Sequence, residues 1–104
     1  MVEMDGQLFD WDKDKAKSNK IKHGVTFDEA VTAFRDKHAQ IYDDEEHSDH
    51  EERFILIGYS EKPRMLMVCH CYRDTETETV TRIISAREAT QHERQKYENG
   101  GWHL

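Results

Sequence analysis

Apolar residues recur along this chain with two different periods, and the changes of period mark out its elements. Leu8-Phe9-Asp10-Trp11 alternates apolar and polar, the period of a short strand. Asp12 then suits an N-cap, which predicts a helix through about His23 with Gly24 as its C-terminal stop and lysines favourably placed at the end of its dipole. Thr26-Phe27-Asp28-Glu29 reads as a capping box. Phe27, Ala30, Val31 and Phe34 follow at helical spacing, so a second, short helix is expected. Ala39 to Tyr42 reads as a strand, and Asp43 to Glu52 as an acidic loop. Three stronger strands come next: Phe54 to Tyr59, Met65 to Tyr72, and Thr79 to Ser85, joined by polar segments short enough for hairpins. Ser85-Ala86-Arg87-Glu88 reads as a second capping box, opening a helix to about Tyr97 that stops at Asn99-Gly100-Gly101. The expected fold is α+β: a small antiparallel meander with two N-terminal helices and one C-terminal helix against one face.

The 104 residues suffice for one domain with one modest core, and residues 99–104 are expected to form a flexible tail. No repeat and no apolar run of membrane-spanning length occurs, and no membrane partner is expected. The opening Met-Val-Glu-Met-Asp-Gly-Gln lacks the basic and apolar regions of a secretion signal, so the expected address is cytoplasmic. Cys69 and Cys71 would share one strand face with His70 opposite. Such neighbours are too far apart for an unstrained disulfide, and buried, reduced thiols are expected.

A formal net charge of −7 argues against a nucleic-acid partner, but the charge is uneven. Lys13 to Lys22 holds five lysines against one acid, whereas Asp43 to Glu52 holds seven acids and could receive a basic partner. Lys22 and His23 place a cation and an imidazole at a helix end, where they could bind phosphate and move a proton, or simply cap the helix. Arg53, Arg64, Arg73, Arg82 and Arg87 sit at strand ends, and guanidinium forks suit phosphate recognition. Val80, Arg82 and Ile84 would share a strand face, leaving Arg82 among apolar neighbours and in need of a carboxylate or a substrate. His47, His50 and His103 near the Cys-His-Cys strand raise a zinc site, but no second Cys pair supports it. No phosphate loop or hydrolase signature is present, so no metal and no cofactor is expected.

Several segments, in order, resemble the BrnT family of type II toxins. They are Phe9-Asp10-Trp11-Asp12, Asn19, Lys22-His23-Gly24-Val25-Thr26-Phe27-Asp28-Glu29-Ala30, His47-Ser48 and Glu52-Arg53. They continue with Gly58-Tyr59-Ser60, Arg82-Ile83-Ile84-Ser85-Ala86-Arg87, Ala89, Glu93-Arg94 and Tyr97. The resemblance implies a RelE-like α+β fold and a toxic, metal-independent endoribonuclease that inhibits translation. It also implies a BrnA-type antitoxin, contact with operator DNA only through the antitoxin complex, and room for higher-order assembly. Carried over by position, the site candidates are Lys22, His23, Arg53, Arg82 and Arg87; Arg73 and His70 join them by placement. The alternative is a non-catalytic regulatory module that only docks an antitoxin.

Overall fold

The computed structural model describes residues 1–47 and 51–100. Its strands are β1 (Val2–Met4), β2 (Gln7–Trp11), β3 (Gln40–Asp43), β4 (Phe54–Tyr59), β5 (Met65–Asp74) and β6 (Thr79–Glu88). Its α-helices are α1 (Lys13–His23), α2 (Phe27–Thr32) and α3 (Gln91–Glu98). The strands form one sheet in the order β1-β2-β6-β5-β4-β3.

From β3 to β6 the sheet is the antiparallel meander that short connections dictate. It is mixed rather than wholly antiparallel, because β2 pairs parallel with β6, Phe9 opposite Thr81 and Trp11 opposite Ile83. Asp5-Gly6 turns β1 back onto β2, both residues at positive φ (52° and 84°), as a two-residue hairpin turn requires.

β5 is buried from Met65 to Cys71 because both faces of the sheet are covered there. On one face, α1 and α2 close over Phe9, Leu56, Leu66, Val68, Ile83 and Ala86. On the other, α3 is tied down by Arg87–Glu93, by Lys96 over the Tyr42 ring and by Tyr97 edge-on to Tyr59. Helices therefore lie against both faces, which corrects the expectation of a single covered face. The sequence does not show this, because α3 is too short and polar to declare a buried side.

Two expected capping boxes change character. Thr26 does accept the Glu29 amide, but the Glu29 carboxylate turns inward to Arg64 and Ser60 instead of back to the cap. Ser85 to Glu88 opens no helix, since β6 runs on to Glu88. The working box is Thr90 with Glu93, each accepting the other's backbone amide. The strand wins because Met67 and Val68 pair with Arg87 and Ala86, a tertiary pairing that local spacing does not reveal. At the other end Asn99 caps α3; residues 101–104 of the expected tail lie outside the described residues.

Candidate functional site

β2 stops at Trp11 while β6 continues, so β6 has a free edge beyond Ile83, and α1 runs beside it. Asn19, 5% exposed, completes that edge as a strand would: its side-chain carbonyl accepts from Ala86 N at 3.0 Å and its amide donates to Ala86 O at 2.8 Å. The same amide donates to Val25 O at 2.9 Å, which holds the chain just past α1. Gly24, at φ 68°, ends the helix as expected, its N–H donating to Lys20 O. Its own carbonyl accepts from Arg64, whose guanidinium also grips the buried Glu29. Lys22 and His23 are thus exposed groups on a helix end that Asn19 and Arg64 fix from beneath.

A cleft of about 400 Å³ lies along this end of α1, lined by Lys15, Asn19, Lys22, His23, Ile84 and Ser85, among others. A second cleft, about 330 Å³, takes in His47, Arg53, Cys69, Arg87, Glu93 and again Ile84 and Ser85. The two meet at a bulge. Cys69 pairs with Ser85 and His70 with Ile83, leaving Ile84 unmatched on β5. This irregularity leaves the alternation of Val80 and Arg82 intact and shifts it beyond Ile83, where Ile84 and Ser85 become the wall shared by both clefts. Lys22 and His23 are brought to one side of it, Arg53 and Arg87 to the other.

Each candidate arginine meets a carboxylate. Arg87 lies on β6 rather than at a helix N-terminus, and its fork closes on Glu93 at 2.8 and 2.9 Å, fastening α3 to the sheet. Arg82 shares its face with the buried Val80 and Cys71, and a carboxylate does meet it there: its Nη1 lies 3.3 Å from Asp10 on β2, its partner in the sheet register. Glu51 stands between Arg53 and Arg73, at 3.7 and 3.9 Å. Arg73 and Arg82 share the face of Cys71, outside the linings of both clefts.

His70 leaves the candidate list. It is wholly buried, with Phe34 edge-on at 5.0 Å, Nδ1 donating to Val68 O and Nε2 accepting from the Tyr72 hydroxyl. Burial pulls its imidazole down to about 4 from 6.5, so it is neutral near pH 7. Between those values the unfolded chain binds a proton the folded chain refuses. The stability His70 contributes is therefore complete above about 6.5 and lost as pH falls toward 4. The whole of that loss corresponds to about 3 kcal/mol. Urea melts between pH 7 and pH 4.5 should show this slope, and it should shrink in His70→Phe. An unchanged slope would place the acid sensitivity elsewhere.

Cys69 and Cys71 are free and buried, on the face opposite His70, as expected. Burial raises both thiols, Cys69 to about 11, so they are not thiolates. Among the described residues no group of three His, Cys, Asp or Glu side chains converges as a metal set; His50 and His103 lie outside them. No helix among the described residues is long and apolar enough to cross a membrane.

The fold is similar to that in the crystal structure of the Brucella abortus ribonuclease toxin, BrnT. The TM-score is 0.57 at 22% identity, covering 82% of this chain and 99% of that one. No curated protein gives a significant match. The family model described as the ribonuclease toxin, BrnT, of type II toxin–antitoxin systems matches residues 11–93, from the last residue of β2 to the Glu93 that holds Arg87. That span takes in both clefts and the bulge between them, and the chain belongs to this family of ribonuclease toxins.

Proposed function

We propose that this chain is a single-domain, metal-independent endoribonuclease of the cytoplasm that stops translation by cutting RNA, and that a BrnA-type antitoxin restrains it. Its ribonuclease family and the antitoxin that a type II system implies supply the starting point. The observation carrying the finer reading is the junction at Ile84-Ser85, where a Lys–His pair and an arginine cluster border adjoining clefts. Metal-free cleavage needs this combination. The substrate's 2′-oxygen attacks the adjacent phosphorus, the bond to the 5′-oxygen breaks, and a 2′,3′-cyclic phosphate and a 5′-hydroxyl result. The protein must orient the 2′-hydroxyl, take its proton, supply one to the leaving oxygen and offset the phosphorane charge. Lys22 and His23 handle protons and Arg53 holds phosphate at the clefts; Arg73 and Arg82, outside the cleft linings, take flanking phosphates of the same RNA; Arg87 keeps α3 in place through Glu93.

The test is cleavage of total cellular RNA and of translating ribosomes by purified protein in excess chelator, with the new termini mapped. Cyclic phosphate and 5′-hydroxyl ends are expected, as is growth arrest on expression, relieved by the antitoxin. Soluble protein that binds the antitoxin but cuts neither substrate would favour the docking module. That reading has one observation behind it, since every candidate arginine already engages a carboxylate.

The acidic stretch is assigned to the antitoxin rather than to RNA. Asp43, Glu45 and Glu46 are exposed, whereas Asp44 is buried and drops out of this role. Operator DNA, for a chain of net charge −7, is reached through a basic partner. Complementary charge chiefly speeds association, so the on-rate should fall as salt rises and should fall in Asp43→Asn/Glu45→Gln/Glu46→Gln. Stopped-flow association that ignores both changes would remove the assignment.

A further inference from the structure

Among the described residues, Asp44 and Glu29 are the carboxylates that the fold buries, Asp44 at 7% exposure. The two Asp44 oxygens face the His47 Nδ1, each at 3.1 Å, and Oδ2 also accepts from the Cys69 thiol at 3.6 Å. Backbone bonds fix the pair: Asp44 N donates to Arg53 O at 2.9 Å and His47 N to Asp44 O at 3.3 Å, closing the turn Glu45–His47. The imidazole is the reverse of its partner, 60% exposed at the side chain against 9% for Asp44, and it lines the cleft that holds Arg53 and Arg87.

A carboxylate only accepts hydrogen bonds, so the proton of the neutral ring sits on Nδ1 and the lone pair on Nε2 is left toward the cleft. A buried carboxylate that sets the tautomer of an exposed imidazole is an arrangement for proton transfer. From this geometry we infer that His47 is the general base of the RNA cleavage proposed above and that Asp44 is its positioning residue. The inference rests on that ribonuclease reading. In the step, Nε2 takes the proton of the 2′-hydroxyl as the 2′-oxygen bonds to phosphorus, and the 5′-oxygen departs with a proton from Lys22 or His23 across the shared Ile84-Ser85 wall. Among the described residues, the charged groups that line the cleft with His47 are Asp44 and Glu46 from its own turn, Arg53 from the lead into β4, Arg87 from β6 and Glu93 from α3, with the protonated Cys69 thiol from β5.

The experiment compares wild type, His47→Ala and His47→Gln on whichever RNA the wild type cuts, across pH and with added imidazole. His47→Gln, which keeps a donor near Asp44, should melt close to the wild type, and His47→Ala, which takes this donor from the buried carboxylate, should melt somewhat lower and stay folded. His47→Ala should cut at least about 100-fold more slowly, the usual worth of such a group. It should lose the rise of rate with pH and regain part of it with free imidazole, while KM stays within a few-fold. Asp44→Asn should lower kcat with KM held, and nitrogen NMR should show the His47 proton shared between Nδ1 and Nε2. Wild-type rate and pH profile in His47→Ala would overturn the assignment, as would a slow variant that keeps the pH inflection and ignores imidazole. Protein that never cuts RNA fails earlier, at the ribonuclease reading, so the two failures are distinguishable.

Discussion

Glu29→Ala should bring this protein close to unfolding. The Glu29 side chain is 1% exposed; one oxygen accepts from Arg64 Nε at 2.8 Å and from Ser60 Oγ at 2.7 Å, and the other faces Arg64 Nη2. Removing the carboxylate leaves the partly buried guanidinium with the exposed Glu88, 3.9 Å away, as its remaining counter-charge, and breaking a buried pair typically costs about 3–5 kcal/mol, of which Glu88 offsets a part. Against a total stability of about 5–15 kcal/mol this is a large fraction, and for a chain of this length it lowers Tm by roughly 15 °C or more. The Arg64 hydrogen bonds hold the Glu29 carboxyl below its ordinary range, and burial opposes them. Its stabilisation is thus present above that range and lost as pH falls through the depressed value. The damage should reach the site, since Arg64 also holds the Gly24 carbonyl behind Lys22 and His23. Thermal melts check the expectation, with Glu29→Ala/Arg64→Met beside it. The double variant removes the orphaned charge and should recover part of the loss. A Glu29→Ala melt within about 1 kcal/mol of wild type, the range of an exposed pair, would show the pair to be solvated.

Much of this fold is legible in the sequence because local signals carry it. The Asp12 cap, the Gly24 stop and the strand Phe54–Tyr59 fall where spacing puts them. The β1–β2 hairpin also has a local signal, since Asp5-Gly6 is a favoured two-residue turn. What stays hidden depends on partners distant in sequence. The parallel pairing of β2 with β6 joins Leu8 with Val80 and Trp11 with Ile83, and no periodicity records it. The Ser85–Glu88 capping pattern is overridden by pairing with β5, while Thr90–Glu93, with the same spacing further along, is the true cap.

The site is legible as residue types more than as geometry. Lys22, His23, Arg53 and Arg87 do border adjoining clefts, but sequence cannot show that a bulge at Ile84 joins them. Nor can it show that His47, a zinc-ligand candidate by residue type, has its ring held by Asp44 three residues earlier. Two signals are available, the i, i+3 spacing of Asp44 and His47 and the place of His47-Ser48 in the family resemblance, and both sit inside a run of acids that reads as a solvated loop.

Arg82→Ala should lower RNA cleavage by about 10²–10³, the cost of losing one electrostatic contact to the transition state, or about 2.7–4 kcal/mol. The reason differs from the one sequence suggests. Arg82 is not an unpaired charge on its apolar face; it has Asp10 beside it at 3.3 Å, with the two side chains 27% and 30% exposed. The pair is partly buried, with Asp10 Oδ1 sealed from water, so losing Arg82 should lower the melt somewhat while the protein stays folded. The contact is nonetheless loose enough to yield to a phosphate, unlike the bidentate Arg87–Glu93 pair at 2.8 and 2.9 Å. Arg82 lies opposite Cys71 and Arg73 opposite Val80, so the two are diagonal neighbours on one face, with Arg82 turned toward Asp10 on β2 and Arg73 toward Glu51. Asp10→Asn separates the two roles. If Arg82 serves RNA, freeing it from Asp10 preserves or tightens RNA binding while Arg82→Ala lowers cleavage by that factor in a folded protein. If Arg82 serves the sheet, both variants lose stability together and activity falls only as the protein melts. Paired melts and cleavage rates decide between them, and a folded, fully active Arg82→Ala would end its assignment to the site.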